Sequence, residues 1–79
     1  MASEVTVRYW AGARRAAGRE SERITAVDVA DLRAQLRRRP ELAAVLAASS
    51  VLVDATRSED DQVLRPGSVV DILPPFAGG

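Results

Sequence analysis

Hydrophobic and polar positions alternate at the start of the chain. Val5, Val7 and Tyr9 fall on one side, and Thr6, Arg8 and Trp10 on the other. Alternation among β-branched and aromatic residues predicts a strand over 4–10. Ala11 to Ala17, rich in alanine and arginine between Gly12 and Gly18, reads as a short helical turn. Glu20 to Ala26 is a second, more polar strand with Ile24 as its inward residue; charges at Glu20, Glu22 and Arg23 mark it as an edge. The period then changes. Val29, Leu32 and Leu36 recur at helical spacing behind Asp28, a good N-cap, with Asp31 in the first turn. Arg37-Arg38-Arg39 suits the negative end of that helix, and Pro40 stops it. A shorter helix restarts at Pro40-Glu41 with Leu42, Val45 and Leu46 inward. Val51-Leu52-Val53 is a third strand, Arg57 to Gln62 a charged loop, and Val63-Leu64 a short strand at most. Arg65-Pro66-Gly67-Ser68 carries the Pro-Gly centre of a type II turn. Val69 to Leu73 is the final strand, ended by Pro74-Pro75.

This order predicts an α+β domain, a mixed sheet of 4–5 strands with one main helix across one face. The strands over 4–10 and 69–73 are the most apolar and belong in its centre. Residues 1–73 form the domain and 74–79 an extended tail. No apolar run is long enough to span a bilayer, and Met1 to Glu4 leads straight into a strand, so a soluble cytoplasmic protein is expected.

Composition narrows the chemistry. The 79 residues contain no Cys and no His, which removes thiolate nucleophiles, Cys-ligated zinc and the usual neutral-pH proton shuttle. Eleven arginines balance eleven acids, so nothing marks a nucleic-acid or membrane binder. Arg37 to Arg39 reads as a solvated helix end and Glu59-Asp60-Asp61 as a solvated turn, since the latter lacks the alternation and glycine of a calcium loop. Gly12 to Gly18 lacks the Lys-Ser/Thr of a phosphate loop. There is no lysine, so no lysine-linked chain can be built on this protein.

The remaining signal is the tail, Pro74-Pro75-Phe76-Ala77-Gly78-Gly79. Two prolines favour a semi-rigid exit, and six residues reach ~20 Å at about 3.3 Å per residue. Glycines without a Cβ fit a narrow channel. A stiff stalk with a slim carboxylate suits insertion into another protein's active site.

Here the chain resembles the ubiquitin-like sulfur carriers of the MoaD/ThiS family. The resemblance rests on Val7-Arg8-Tyr9-Trp10-Ala11 leading into Ala13-Arg14-Arg15-Ala16-Ala17-Gly18, on Val29-Ala30-Asp31-Leu32, and on Pro74 to Gly79. The proline pair and the arginine-bearing segment are most similar to the MoaD branch, the small subunits of molybdopterin synthase. Arg15 stands where that branch often has an acid, and Phe76 where it has an aliphatic residue. The resemblance implies a β-grasp fold. It implies that Gly79 is adenylated with ATP by a ubiquitin-activating-type (MoeB-like) enzyme and that persulfide sulfur from a donor enzyme displaces AMP. A thiocarboxylate on Gly79 results. Pro75, Phe76, Ala77 and Gly78 would enter the large (MoaE-like) subunit, where the sulfur goes to a pterin precursor. The chain would bind no metal or cofactor and supply no catalytic residue of its own. Thiazole, cysteine or a natural product as acceptor, or a role as protein modifier, are the alternatives.

In a β-grasp sheet the first and last strands are parallel neighbours. That places Trp10 and Leu73 together on the uncovered face at the tail end, with Phe76 beyond. Trp10 and Leu73 are therefore expected partner-docking residues, and Arg14 is the residue expected to meet an acidic surface of that partner.

Overall fold

A computed structural model describes residues 1–75. Its strands are β1 (Ser3–Tyr9), β2 (Ser21–Ala26), β3 (Ser50–Val53), β4 (Thr56–Arg57) and β5 (Val69–Leu73). Its helices are α1 (Ala11–Ala17), α2 (Val29–Leu36) and α3 (Pro40–Ala48). The sheet order is β2-β1-β5-β3-β4. β1 and β5 pair in parallel, with Val7 beside Val70 and Tyr9 beside Ile72; the other pairs are antiparallel. The two strands read as central are central, and β2 is an edge.

One face of the sheet carries the core. Val5, Val7, Tyr9, Val51, Val70 and Ile72 are at most 2% exposed and pack against Leu32, Leu36, Leu42 and Leu46 of α2 and α3 and Ala13 of α1. The period-two pattern of β1 thus reports correctly which side is buried. Asp28 caps α2 through a 2.8 Å bond accepted from the Asp31 amide. Gly67, at φ 82°, takes the left-handed position of the turn into β5, closed by the Ser68 amide donating to the Arg65 carbonyl at 3.1 Å.

The structure corrects several details. The helical layer is three short helices, of which α3 with nine residues is longer than α2 with eight. The cause is Pro40: it forces Arg39 into extended backbone, φ −95° and ψ 113°, and opens a new helix at its own first position. β1 ends at Tyr9, one residue early, because Ala11 takes φ 48° and swings the chain into α1. Val63 makes only an isolated bridge to Asp28. Thr56–Arg57, at the mouth of the expected loop, pairs with β3 instead. Glu22 and Arg39, read as an edge charge and part of a solvated helix end, bond to each other under the helices. Arg39 donates to the Glu22 carboxylate at 2.6 and 3.0 Å. Asp60 pairs with Arg33 at 3.0 Å. No helix among the described residues is long and apolar enough to cross a membrane.

Candidate functional site

The open face of the sheet and the exit of the tail meet at the C-terminal ends of β1 and β5. The parallel register ends with the Trp10 amide donating to the Ile72 carbonyl at 3.3 Å, so Leu73 follows directly beside the backbone of Trp10. Pro74 and Pro75 leave the body along a groove of about 340 Å³, walled by Ala11 and Gly12 of α1 and Val45 and Ala48 of α3. The tail positions Phe76, Ala77, Gly78 and Gly79 lie outside the described residues.

Of the expected docking residues, Trp10 and Arg14 line one shallow depression of about 190 Å³, with Arg8, Glu20 and Ser21 on its walls. Arg14 is half-exposed and lies 3.7 Å from Glu20, itself exposed. Such a pair is weak and free to exchange for an acidic partner surface. Trp10 is 40% exposed, and Leu73 is partly exposed on the same face. The structure therefore brings Trp10 and Arg14 into one depression, while Leu73 is linked to Trp10 through the backbone, next to the Ile72 carbonyl that accepts from the Trp10 amide.

Trp10 is not simply laid open. Its Nε1 donates to Asp71 Oδ1 at 2.9 Å. Arg8 donates to the same carboxylate twice, Nε to Oδ1 at 2.7 Å and a terminal nitrogen to Oδ2 at 2.9 Å. The Arg8 guanidinium also sits 5.7 Å from the centroid of the Trp10 ring, within cation–π range. Asp71 is only 6% exposed, with Arg8 and Trp10 both bonded to its carboxylate. The Arg8 hydrogen bonds hold the Asp71 carboxyl below the usual carboxylate range against burial, with help from the Trp10 bond. Arg8 and Asp71 were missed as site residues. The legible signal was a lone acid between Val70 and Ile72, opposite the one arginine of β1 once the parallel register is fixed.

A parallel central pair flanked by antiparallel strands, helices on one side only and a proline exit define a β-grasp, ubiquitin-like domain. The chain belongs to the ThiS family, whose model matches residues 7–79. Among solved structures it is similar to subunit 1 of the molybdopterin-converting factor of Helicobacter pylori, in complex with subunit 2. That match has 27% identity over 96% of this chain and 99% of that one, with a TM-score of 0.79. A Pyrococcus furiosus chain provisionally named molybdopterin converting factor, subunit 1, matches at 26% identity over 94% and 99%, with a TM-score of 0.84. Small archaeal modifier protein 1 of Methanosarcina acetivorans shares the fold, at 23% identity over 100% and 99%, with a TM-score of 0.83. No curated protein sequence matches. The fold is thus that of the ThiS/MoaD-like, ubiquitin-like sulfur carriers.

Proposed function

We propose that this chain is a sulfur carrier acting through Gly79, as the small subunit of molybdopterin synthase. A carboxylate is a poor acyl donor because its leaving group is oxide. Attack of the Gly79 carboxylate on the α-phosphorus of ATP, with loss of pyrophosphate, gives an acyl-adenylate. The terminal sulfur of a persulfide then displaces AMP. A thiol cleaves the resulting sulfur–sulfur bond, is itself oxidised to a disulfide, and releases the thiocarboxylate. The missing Cys and His are no obstacle, because the sulfur is added and the proton-transfer groups belong to the adenylating enzyme and the large subunit. Pro75 to Gly78 insert; Trp10, Arg14 and Leu73 dock.

The observation that carries the reading is the family match through residue 79, joined to the similarity to a molybdopterin-converting subunit 1 in complex with its subunit 2. A second reading, conjugation of Gly79 to a protein amine, is favoured by the similarity to small archaeal modifier protein 1.

The test is to delete Gly79 or append one residue after it. Either change leaves the melting temperature unchanged and abolishes sulfur transfer in a reconstituted assay with adenylating enzyme, donor and large subunit. Full transfer by the truncated chain overturns the carrier reading. A mass gain of about 16 Da on the wild type, one sulfur for one oxygen, favours carrier over modifier.

A further inference from the structure

We infer that Asp71 is a positioning residue that, clamped by Arg8, holds the Trp10 indole in one fixed pose for docking. The inference rests on the reading of Trp10 as a docking residue and adds to it a group that sequence patterning did not flag.

Four observations carry it. Asp71 lies in β5, whose backbone is paired on both sides, to β1 and to β3, so its carboxylate has a rigid mount. Both of its oxygens are engaged by Arg8, which leaves the carboxylate no rotational freedom. Oδ1 is shared with Trp10 Nε1, so the indole edge is pinned at 2.9 Å. The Arg8 guanidinium lies 5.7 Å from the ring centroid, while 40% of the residue still faces solvent.

A carboxylate in the middle of a central strand is an unusual choice. Asp is depleted in strands, and a buried charge must be paired. A leucine there would extend the apolar face without directing the indole. Asp71 does what leucine cannot, since it holds the edge of an exposed aromatic by its N–H and, by clamping Arg8, keeps a guanidinium 5.7 Å from the ring centroid. Pre-ordering an anchor removes the cost of immobilising it on association. It also specifies the partner. With Nε1 already satisfied, the group that meets Trp10 needs no hydrogen-bond acceptor. An apolar side chain packed on the free part of the ring fits, with an acid reaching Arg14 alongside.

Trp10 is the only tryptophan, so its indole N–H gives one resonance in a ¹H–¹⁵N spectrum of the full chain. In the wild type that proton should exchange slowly with water. Asp71→Leu should shift it toward the free-indole position and speed its exchange at least tenfold. Affinity for the adenylating enzyme should fall about tenfold. In a Trp10→Phe background, which keeps a ring but has no N–H, Asp71→Leu should change affinity less than twofold. That coupling separates positioning from a general loss of stability, which would weaken both backgrounds alike. Unchanged indole exchange in Asp71→Leu, or an equal affinity loss in the Trp10→Phe background, overturns the inference. Unchanged affinity on Trp10→Ala overturns the docking reading instead. If Asp71→Leu does not fold, Arg8→Ala serves: the freed carboxylate should let the indole exchange faster, and an unmoved resonance overturns the clamp.

Discussion

Residues 8 and 9 are neighbours on β1, and each anchors a cluster made of the same parts. On the open face a bidentate Arg8–Asp71 pair accepts a third bond from an aromatic N–H, that of Trp10. On the covered face a bidentate Arg39–Glu22 pair accepts a third bond from an aromatic O–H, that of Tyr9, at 2.6 Å. The difference is which group is left outside. Tyr9 is 1% exposed and Trp10 is 40% exposed. The covered cluster ties β1 and β2 to the α2–α3 connection, three places distant in sequence, and its bonds go into stability. The open cluster ties only β5 to the end of β1, and its bonds go into the orientation of an exposed ring. Identical chemistry thus serves the fold on one side of a strand and a surface on the other.

The largest effect should come from removing the carboxylate on the covered side. Glu22→Leu leaves the Tyr9 hydroxyl without its acceptor and Arg39 without its ion pair. Arg39 is 37% exposed and recovers part of its hydration, so the full penalty of a buried unpaired charge is not reached. A loss of about 2 kcal/mol is expected, which lowers the melting temperature of a chain this size by about 8–16 °C. The matching change on the open side, Asp71→Leu, frees a half-exposed Arg8 and an indole edge that water can reach. Its melting temperature should move by only a few degrees. Thermal melts of both variants measure the contrast directly. Equal losses would mean that the open cluster is a second staple and not a surface device.

The two clusters were unequally legible in the sequence. The alternation of β1 and β5 gave the buried face, because a strand has only two sides and Val5, Val7, Val70 and Ile72 choose the same one. The helical spacing of Val29, Leu32 and Leu36 and the cap at Asp28 gave α2. Sequence spacing alone does not show the charge pairs, since Arg39 lies 17 residues beyond Glu22 and Asp71 lies 63 beyond Arg8; only the second can be found, and only once the parallel register of β1 and β5 is fixed. Period two places Glu22 on the same side as Ile24, but residue type sends a charge to solvent; the periodicity holds, because a carboxylate can go inward when an arginine and a phenol meet it. Trp10 was legible as an exposed aromatic, but its bond to Asp71 depends on the parallel register and on the turn at Ala11. Those are properties of the folded backbone, not of any local run of residues.

Acid should lower stability through both clusters. Burial pushes the Glu22 carboxyl up, but the bonds from Arg39 and Tyr9 outweigh it and leave it below the ordinary range. Asp71 is lowered chiefly by Arg8. A carboxyl depressed in the folded state contributes stability that is complete above its unfolded pKa, about 4.3 for Glu and 3.9 for Asp, and is lost as pH falls through the folded value. Denaturant melts should therefore be level from neutral pH down to roughly that range and decline below it. Glu22→Gln should flatten the decline. The indole resonance of Trp10 should follow the titration of Asp71 and not that of Glu22. An indole signal that tracks Glu22 would show the clusters to be coupled through β1 and would break the contrast drawn between them.

The smallest effect, and the cleanest, belongs to the alkaline side. Burial raises the Tyr9 phenol well above its ordinary pKa, and the neighbouring Glu22 carboxylate raises it further against the opposing pull of Arg39. A group whose folded pKa is raised contributes stability that is fully present below the unfolded pKa, about 10 here, and is lost as pH rises toward the folded value. The chain has one tyrosine, no cysteine and no lysine, so no other side chain titrates between roughly pH 9 and the arginine range. Stability should accordingly be level to about pH 9 and lower by about 1.4 kcal/mol at pH 11. Indole does not titrate here, so the Trp10 environment should stay constant until the domain unfolds. Tyr9→Phe should cost about 1 kcal/mol at neutral pH, since Arg39 still holds Glu22. In exchange the alkaline decline should vanish, and the variant should equal or exceed the wild type near pH 11. Denaturant melts at pH 8, 10 and 11 on both chains measure this. A decline that survives Tyr9→Phe would mean that the phenol is not held neutral by the covered cluster, and that Arg39 and Glu22 form the staple without it.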